Sequence, residues 1–157
     1  MRLTTVPIET TLSSFVANLL VCLIPILLLR AILAGLLSPA EVSSGMLSFA
    51  GGPWMLVAFI VCIHVPLIED SLLLCSAHLL SRVVRSHRLV CLLAAVPVAF
   101  MHAYPDSWTR FAIVVWPLGW FAHCFLSLKA RGVSLPIRFG FVFALHAGVN
   151  GVVVGLS

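Results

Sequence analysis

Apolar residues dominate the chain in five long runs, separated by short polar breaks, and the runs show neither strict alternation nor a clean helical stripe. Runs of this length predict helices that are apolar all round, with ~20 residues for each crossing of a bilayer. The first is expected from about Leu12 to Leu37, kinked at Pro25, with Arg30 near enough to an end to snorkel. A Gly-rich polar loop, Ser38 to Gly52, carries Glu41 and no basic residue. The second run extends from Pro53 to about Leu80 with Pro66 inside it. The third runs from about Leu89 to Ala103 and ends at a Tyr-Pro-Asp-Ser-Trp turn. A fourth spans about Phe111 to Leu128, and the last takes the chain from about Phe139 almost to Ser157. The predicted fold class is all-α: a single polytopic transmembrane helical bundle of about five spans.

Composition narrows this further. Of 157 residues, 62% are hydrophobic and 9% charged, where a soluble domain is about a quarter charged. A water-soluble globule is excluded. Nine Lys and Arg against five Asp and Glu leave a small basic excess, confined to short clusters between the runs. No nucleic-acid partner is expected; the partner of these clusters is the bilayer. Arg82, Arg85 and Arg88 follow the second run, and Lys129, Arg131 and Arg138 follow the fourth, whereas the loops after runs one and three share Arg110 alone. That alternation predicts a cytoplasmic N-terminus and an outer C-terminus. The start, Met-Arg-Leu-Thr-Thr, reads as the approach to an uncleaved first helix. No internal repeat is visible. Cys22, Cys62, Cys75, Cys91 and Cys124 form no CxxC pair and are expected to be small buried apolar residues. Trp54, Trp108 and Trp116 or Trp120 read as interfacial anchors.

Ionisable groups inside a span cost roughly 2.5–3.5 kcal/mol each on insertion scales, which makes those present here candidates for function. Glu69 and Asp70 lie in the second run, His102 near the outer end of the third, and His146 and Asn150 in the fifth, four apart and so on one helix face. Counted from the cytoplasmic ends at ~1.5 Å per residue, Glu69 and Asn150 lie at roughly 18 Å and His102 at roughly 20 Å. Three helices therefore contribute polar groups to one slab of the bilayer. A carboxylate beside an imidazole can deprotonate a water, and an imidazole with an amide can donate to an oxyanion. Hydrolysis of an amide bond in the membrane is the chemistry that fits. Glu69, His102 and His146 as ligands of a zinc ion would activate water equally well, and the sequence leaves both mechanisms open.

At these residues the chain resembles the CPBP family, which includes CAAX prenyl endopeptidases, abortive-infection-type proteins and bacteriocin-immunity proteins. Pro66-Leu67-Ile68-Glu69-Asp70 is similar to the family's Glu-Glu motif and its approach. His102, in Val98-Ala99-Phe100-Met101-His102, occupies the histidine of a Phe-x-x-x-His motif, and His146-Ala147-Gly148-Val149-Asn150 matches His-x-x-x-Asn in full. The resemblance covers about residues 53–155. It implies an intramembrane endopeptidase of glutamic type, multi-pass in a bacterial inner membrane, acting without a cofactor on a membrane-anchored protein or peptide, such as a C-terminal tail or anchor. Glu69 would be the general base, His102 would hold the water, and His146 with Asn150 would form the oxyanion hole. Asp70 stands where the family has a second Glu, Leu74 where it has Arg, and Val98 where it has Phe. Adjacent helical residues point about 100° apart, so Asp70 is expected to face away from the pocket of Glu69 in a supporting role. A non-proteolytic immunity or scaffold protein that binds a membrane peptide is the alternative. His64, His78 and His123 match no motif and are expected to pack, His87 to be solvated in its basic loop; a haem site on His64 and His78 lacks a second pair of ligands.

Overall fold

The computed structural model describes residues 11–36, 53–103 and 108–155, and these residues are helical apart from short connections. The predicted loop over 38–52, with Glu41, and the turn over 104–107 lie outside the described residues. α1 is Leu12–Leu36. α2 runs without interruption through three stretches, Trp54–Phe59, a π-helical turn Ile60–His64, and Val65–Val83. α3 is His87–Ala103, α4 is Trp108–Ala130 and α5 is Leu135–Gly155.

Four segments are long and apolar enough to cross a membrane: Leu12–Leu33, Met55–Val83, Trp108–Ala130 and Leu135–Gly155. This is the composition of an integral membrane protein. α3, expected as the short run from about Leu89 to Ala103, has 17 residues that rise about 25 Å, and it is not among these four.

The connections follow from local chemistry. Ser86 caps α3, its Oγ accepting from Leu89 N–H at 3.4 Å. After α4 the chain reverses at Gly132, whose φ of +75° favours glycine; Val133 N–H reaches Leu128 O at 3.1 Å and Gly132 N–H reaches Lys129 O at 3.0 Å. Lys129 Nζ donates to Ser81 Oγ at 3.1 Å, so the basic ends of α2 and α4 lie at the same end of the bundle.

α3 and α4 form the most intimate pair. Ala94, Ala95, Ala99 and Ala122 are all buried at their contact, where small side chains let two backbones approach. Phe121, Phe125, Leu73, Leu118 and Leu145 fill the centre, while Leu20, Ile24, Leu28 and Leu72 face outward. Lipid tails are as apolar as leucine, so burying these side chains gains little over leaving them in lipid. Helix association rests instead on close packing and on polar clamps.

Proline supplies two of the acceptors for those clamps. Pro25 in α1 has no N–H, which leaves the Val21 carbonyl without its helical donor, and Trp116 Nε1 on α4 donates to that oxygen at 3.0 Å. One turn away, Trp120 Nε1 and Cys124 Sγ meet Asn18 Oδ1 at 2.9 and 3.4 Å, while Asn18 Nδ2 donates to Ser14 O at 2.7 Å. Trp116 and Trp120 thus tie α1 to α4, partners that their reading as interfacial anchors did not include; Trp108 is exposed.

A carboxylate–imidazole site in the bundle

The site begins with the shape of α2. Val65 N–H reaches back five residues to Ile60 O, the mark of a π turn. In that register the next carbonyl, Val61 O, falls due to residue 66, which is proline and has no N–H. Asn150 Nδ2 from α5 donates to this orphaned oxygen at 2.9 Å. Pro66 therefore both disturbs the helix just before Glu69 and creates the acceptor that fixes α5 against it.

One turn further along, Glu69 faces two imidazoles. His102 Nε2 on α3 lies 2.9 Å from Glu69 Oε1, and His146 Nε2 on α5 lies 3.5 Å from Glu69 Oε2. The first is a close carboxylate–imidazole pair. The second is close enough for attraction only, and Glu69 Oε2 makes no hydrogen bond among the described residues. His146 is held from its other side, with Nδ1 2.9 Å from Asp70 Oδ1, and its ring lies 4.7 Å from that of Phe121. Exposure falls from 31% at the His102 side chain to 15% at Glu69, 6% at His146 and none at Asp70. The four groups form a row from the opening inward.

Glu69, His102, His146 and Asn150 line one cavity of about 400 Å³, together with Arg30 and Arg110 and otherwise mainly apolar side chains. Arg30, near the end of α1, lines the cavity. Asp70 lies outside the lining and reaches His146 from behind. Leu74 is buried in the apolar core, so nothing cationic stands one turn from Asp70 on its own helix. The imidazole of His146 takes that place.

Two expected roles meet a different geometry. His146 is engaged at both ring nitrogens, and Asn150 spends one amide hydrogen on Val61 O, so the two do not point jointly at a common acceptor. For a zinc ion on Glu69, His102 and His146, each imidazole addresses a different oxygen of the carboxylate. The set of ligand atoms that does converge among the described residues is His87, Cys91 and His123.

The remaining histidines divide. His64 is exposed on the π turn, and His78 is half-buried with Arg82 NH2 at 3.1 Å from its Nε2. His87 is not solvated in a loop: it opens α3, half-buried, with Nε2 2.8 Å from His123 Nδ1. Arg138 lies in the first turn of α5, buried, its guanidinium 4.5 Å above the Phe125 ring, and is not part of a free basic loop. The cysteines also depart from a uniform burial, since Cys62 is half-buried and Cys75 exposed.

Asn18 was the polar residue missed in sequence. It is a lone amide in the most apolar run, and the rule that singled out Glu69 applies to it equally. Comparison of the chain with protein-family models, with curated proteins and with solved structures finds no match in any of the three.

Proposed function

We propose that the protein is an intramembrane endopeptidase in which Glu69 activates water against a peptide bond of a membrane-associated protein or peptide. The observation that carries this reading is the Glu69 carboxylate, paired with His102 through one oxygen and without a hydrogen bond at the other among the described residues, on the wall of a cavity within the bundle. In this mechanism Glu69 takes a proton from a water whose oxygen attacks the scissile carbonyl carbon. The C–N bond then breaks, and the proton passes to the leaving amine. Asp70 accepts from Nδ1–H of His146 and so fixes that ring for its work beside Glu69. The second amide hydrogen of Asn150 is the group suited to the oxyanion.

Arg30 and Arg110 line the same cavity and make its wall basic. The resemblance to the CPBP family, stated from the motifs at Glu69, His102 and His146, supports the same reaction class. In the same reading α3 is a fifth crossing, the joined basic ends of α2 and α4 face the cytoplasm with the N-terminus, and the membrane is a bacterial inner membrane.

A second reading is favoured by one specific feature. His146 Nδ1 is bound to Asp70, its Nε2 lies toward Glu69, and Asn150 is committed to Val61 O, so donors for an oxyanion are not assembled in advance. A scaffold or immunity protein that binds a membrane peptide without cutting it needs no such donors.

The deciding experiment co-expresses wild type or Glu69→Gln with candidate membrane-anchored proteins and maps new termini by proteomics. New termini near a membrane segment, present with wild type and lost in Glu69→Gln, are expected. Termini that persist in the variant overturn the mechanism, and no termini from two abundant folded proteins favours the binding reading.

A further inference from the structure

A second set of chemistry-bearing side chains lies away from the Glu69 cavity, where α3 and α4 meet. His87 opens α3 and Cys91 follows four residues on, so both project from one face. His123 comes from α4. His87 Nε2 and His123 Nδ1 are 2.8 Å apart, and these atoms with Cys91 Sγ all lie within 4.8 Å of one another. Cys91 is buried and both imidazoles are half-buried. The His123 ring is braced by Trp120, whose ring centroid is 4.8 Å away and whose Nε1 is itself held by Asn18. A histidine pair alone would account for the hydrogen bond but not for a buried sulfur within 4.8 Å of both nitrogens.

We infer that His87, Cys91 and His123 bind a transition-metal ion of the zinc type, with a fourth position open to water. Two imidazole nitrogens and a thiolate are the donors of borderline and soft ions; magnesium and calcium take oxygen instead. Bond lengths of ~2.0–2.1 Å to nitrogen and ~2.3 Å to sulfur in a tetrahedral site require the nitrogens to part by about 0.5 Å and the sulfur to close on them to about 3.6 Å from a spread of up to 4.8 Å, movements that side-chain rotation supplies. Binding breaks the S–H bond of Cys91 and releases one proton to solvent, while the imidazole that donates to its neighbour moves its proton to the other ring nitrogen. The bound ion would pin the start of α3 to α4, independently of any chemistry at Glu69.

The test titrates cobalt(II) into the full chain, purified in detergent without a polyhistidine tag. One equivalent is expected to bind with a near-ultraviolet thiolate-to-cobalt charge-transfer band that zinc displaces. Cys91→Ala should abolish the band, His123→Ala should weaken binding at least ~10-fold, and Cys75→Ala should change neither. X-ray absorption of the zinc-loaded wild type, which requires no variant to fold, should find one sulfur at ~2.3 Å beside nitrogen at ~2.0–2.1 Å. A band that survives Cys91→Ala, a band lost in Glu69→Gln, or a first shell without sulfur each overturns the assignment.

Discussion

Asp70 Oδ1 lies 2.9 Å from Nδ1 of His146, with none of the Asp70 side chain exposed. The residue next to Glu69 in sequence therefore acts on the same imidazole as Glu69, from the opposite side. An acid left without the arginine that the CPBP resemblance leads one to expect at Leu74 has found a cation-capable partner on another helix. The pairing fixes which ring nitrogen carries the proton, because a carboxylate can only accept.

From this follows a split between two substitutions of Asp70. Asp70→Asn keeps the volume and one hydrogen bond but permits the wrong tautomer of His146, so cleavage should fall by about 10²-fold with folding retained. Asp70→Ala leaves a buried imidazole without its partner and should also lower stability by about 3 kcal/mol, read by thermal unfolding in detergent. Equal activity of Asp70→Asn and wild type would remove Asp70 from the site.

At Glu69 the amide of Glu69→Gln can still pair with His102 while losing the ability to take a proton. Cleavage should drop by about 10²–10⁴-fold and melting temperature should hardly change. His102→Ala, at the more exposed end of the row, should reduce cleavage with a smaller stability effect than Asp70→Ala. The measurement is turnover of one identified substrate beside detergent melting curves for all three.

The helices and the polar slab were legible because both rest on steep costs: backbone polar groups must pair within a span, and ionisable side chains are expensive there. That reasoning finds Glu69, His102 and His146 without a fold. It cannot see backbone acceptors, so the partners of Asn150 and Trp116, carbonyls stranded by Pro66 and Pro25, were hidden although both prolines were noticed. It also misjudges residues by neighbourhood. His87 sits among arginines in sequence, yet the first turn of α3 turns it onto His123. Arg138 was grouped with Lys129 and Arg131, yet α5 begins before it and folds it over Phe125.

Asn18 gives a test of how polar clamps act between apolar helices. Asn18→Leu leaves Trp120 Nε1 without its acceptor and should cost about 1–3 kcal/mol. Adding Trp120→Phe removes the stranded donor as well, and the double variant should recover much of that loss, since replacing both partners by apolar groups is close to neutral. Thermal unfolding of the two single variants and the double variant decides it; simple additivity would mean that the 2.9 Å contact contributes nothing specific.

Asn150 permits the sharpest separation of structure from catalysis. Its hydrogen bond to Val61 O exists because residue 66 has no N–H to offer. Asn150→Ala should therefore cost about 1–3 kcal/mol in an otherwise native chain. In a Pro66→Ala background the backbone N–H returns, Val61 O regains a helical donor, and the same substitution should cost at least about 1 kcal/mol less. Trp116→Phe, with and without Pro25→Ala, is the equivalent cycle on α1, where no catalytic role competes. If Asn150→Ala destroys cleavage equally in both backgrounds while its stability cost vanishes in the second, the amide serves the reaction as well as the fold. If cleavage returns along with stability, Asn150 is a structural clamp and the oxyanion must be met by another donor, such as a backbone N–H.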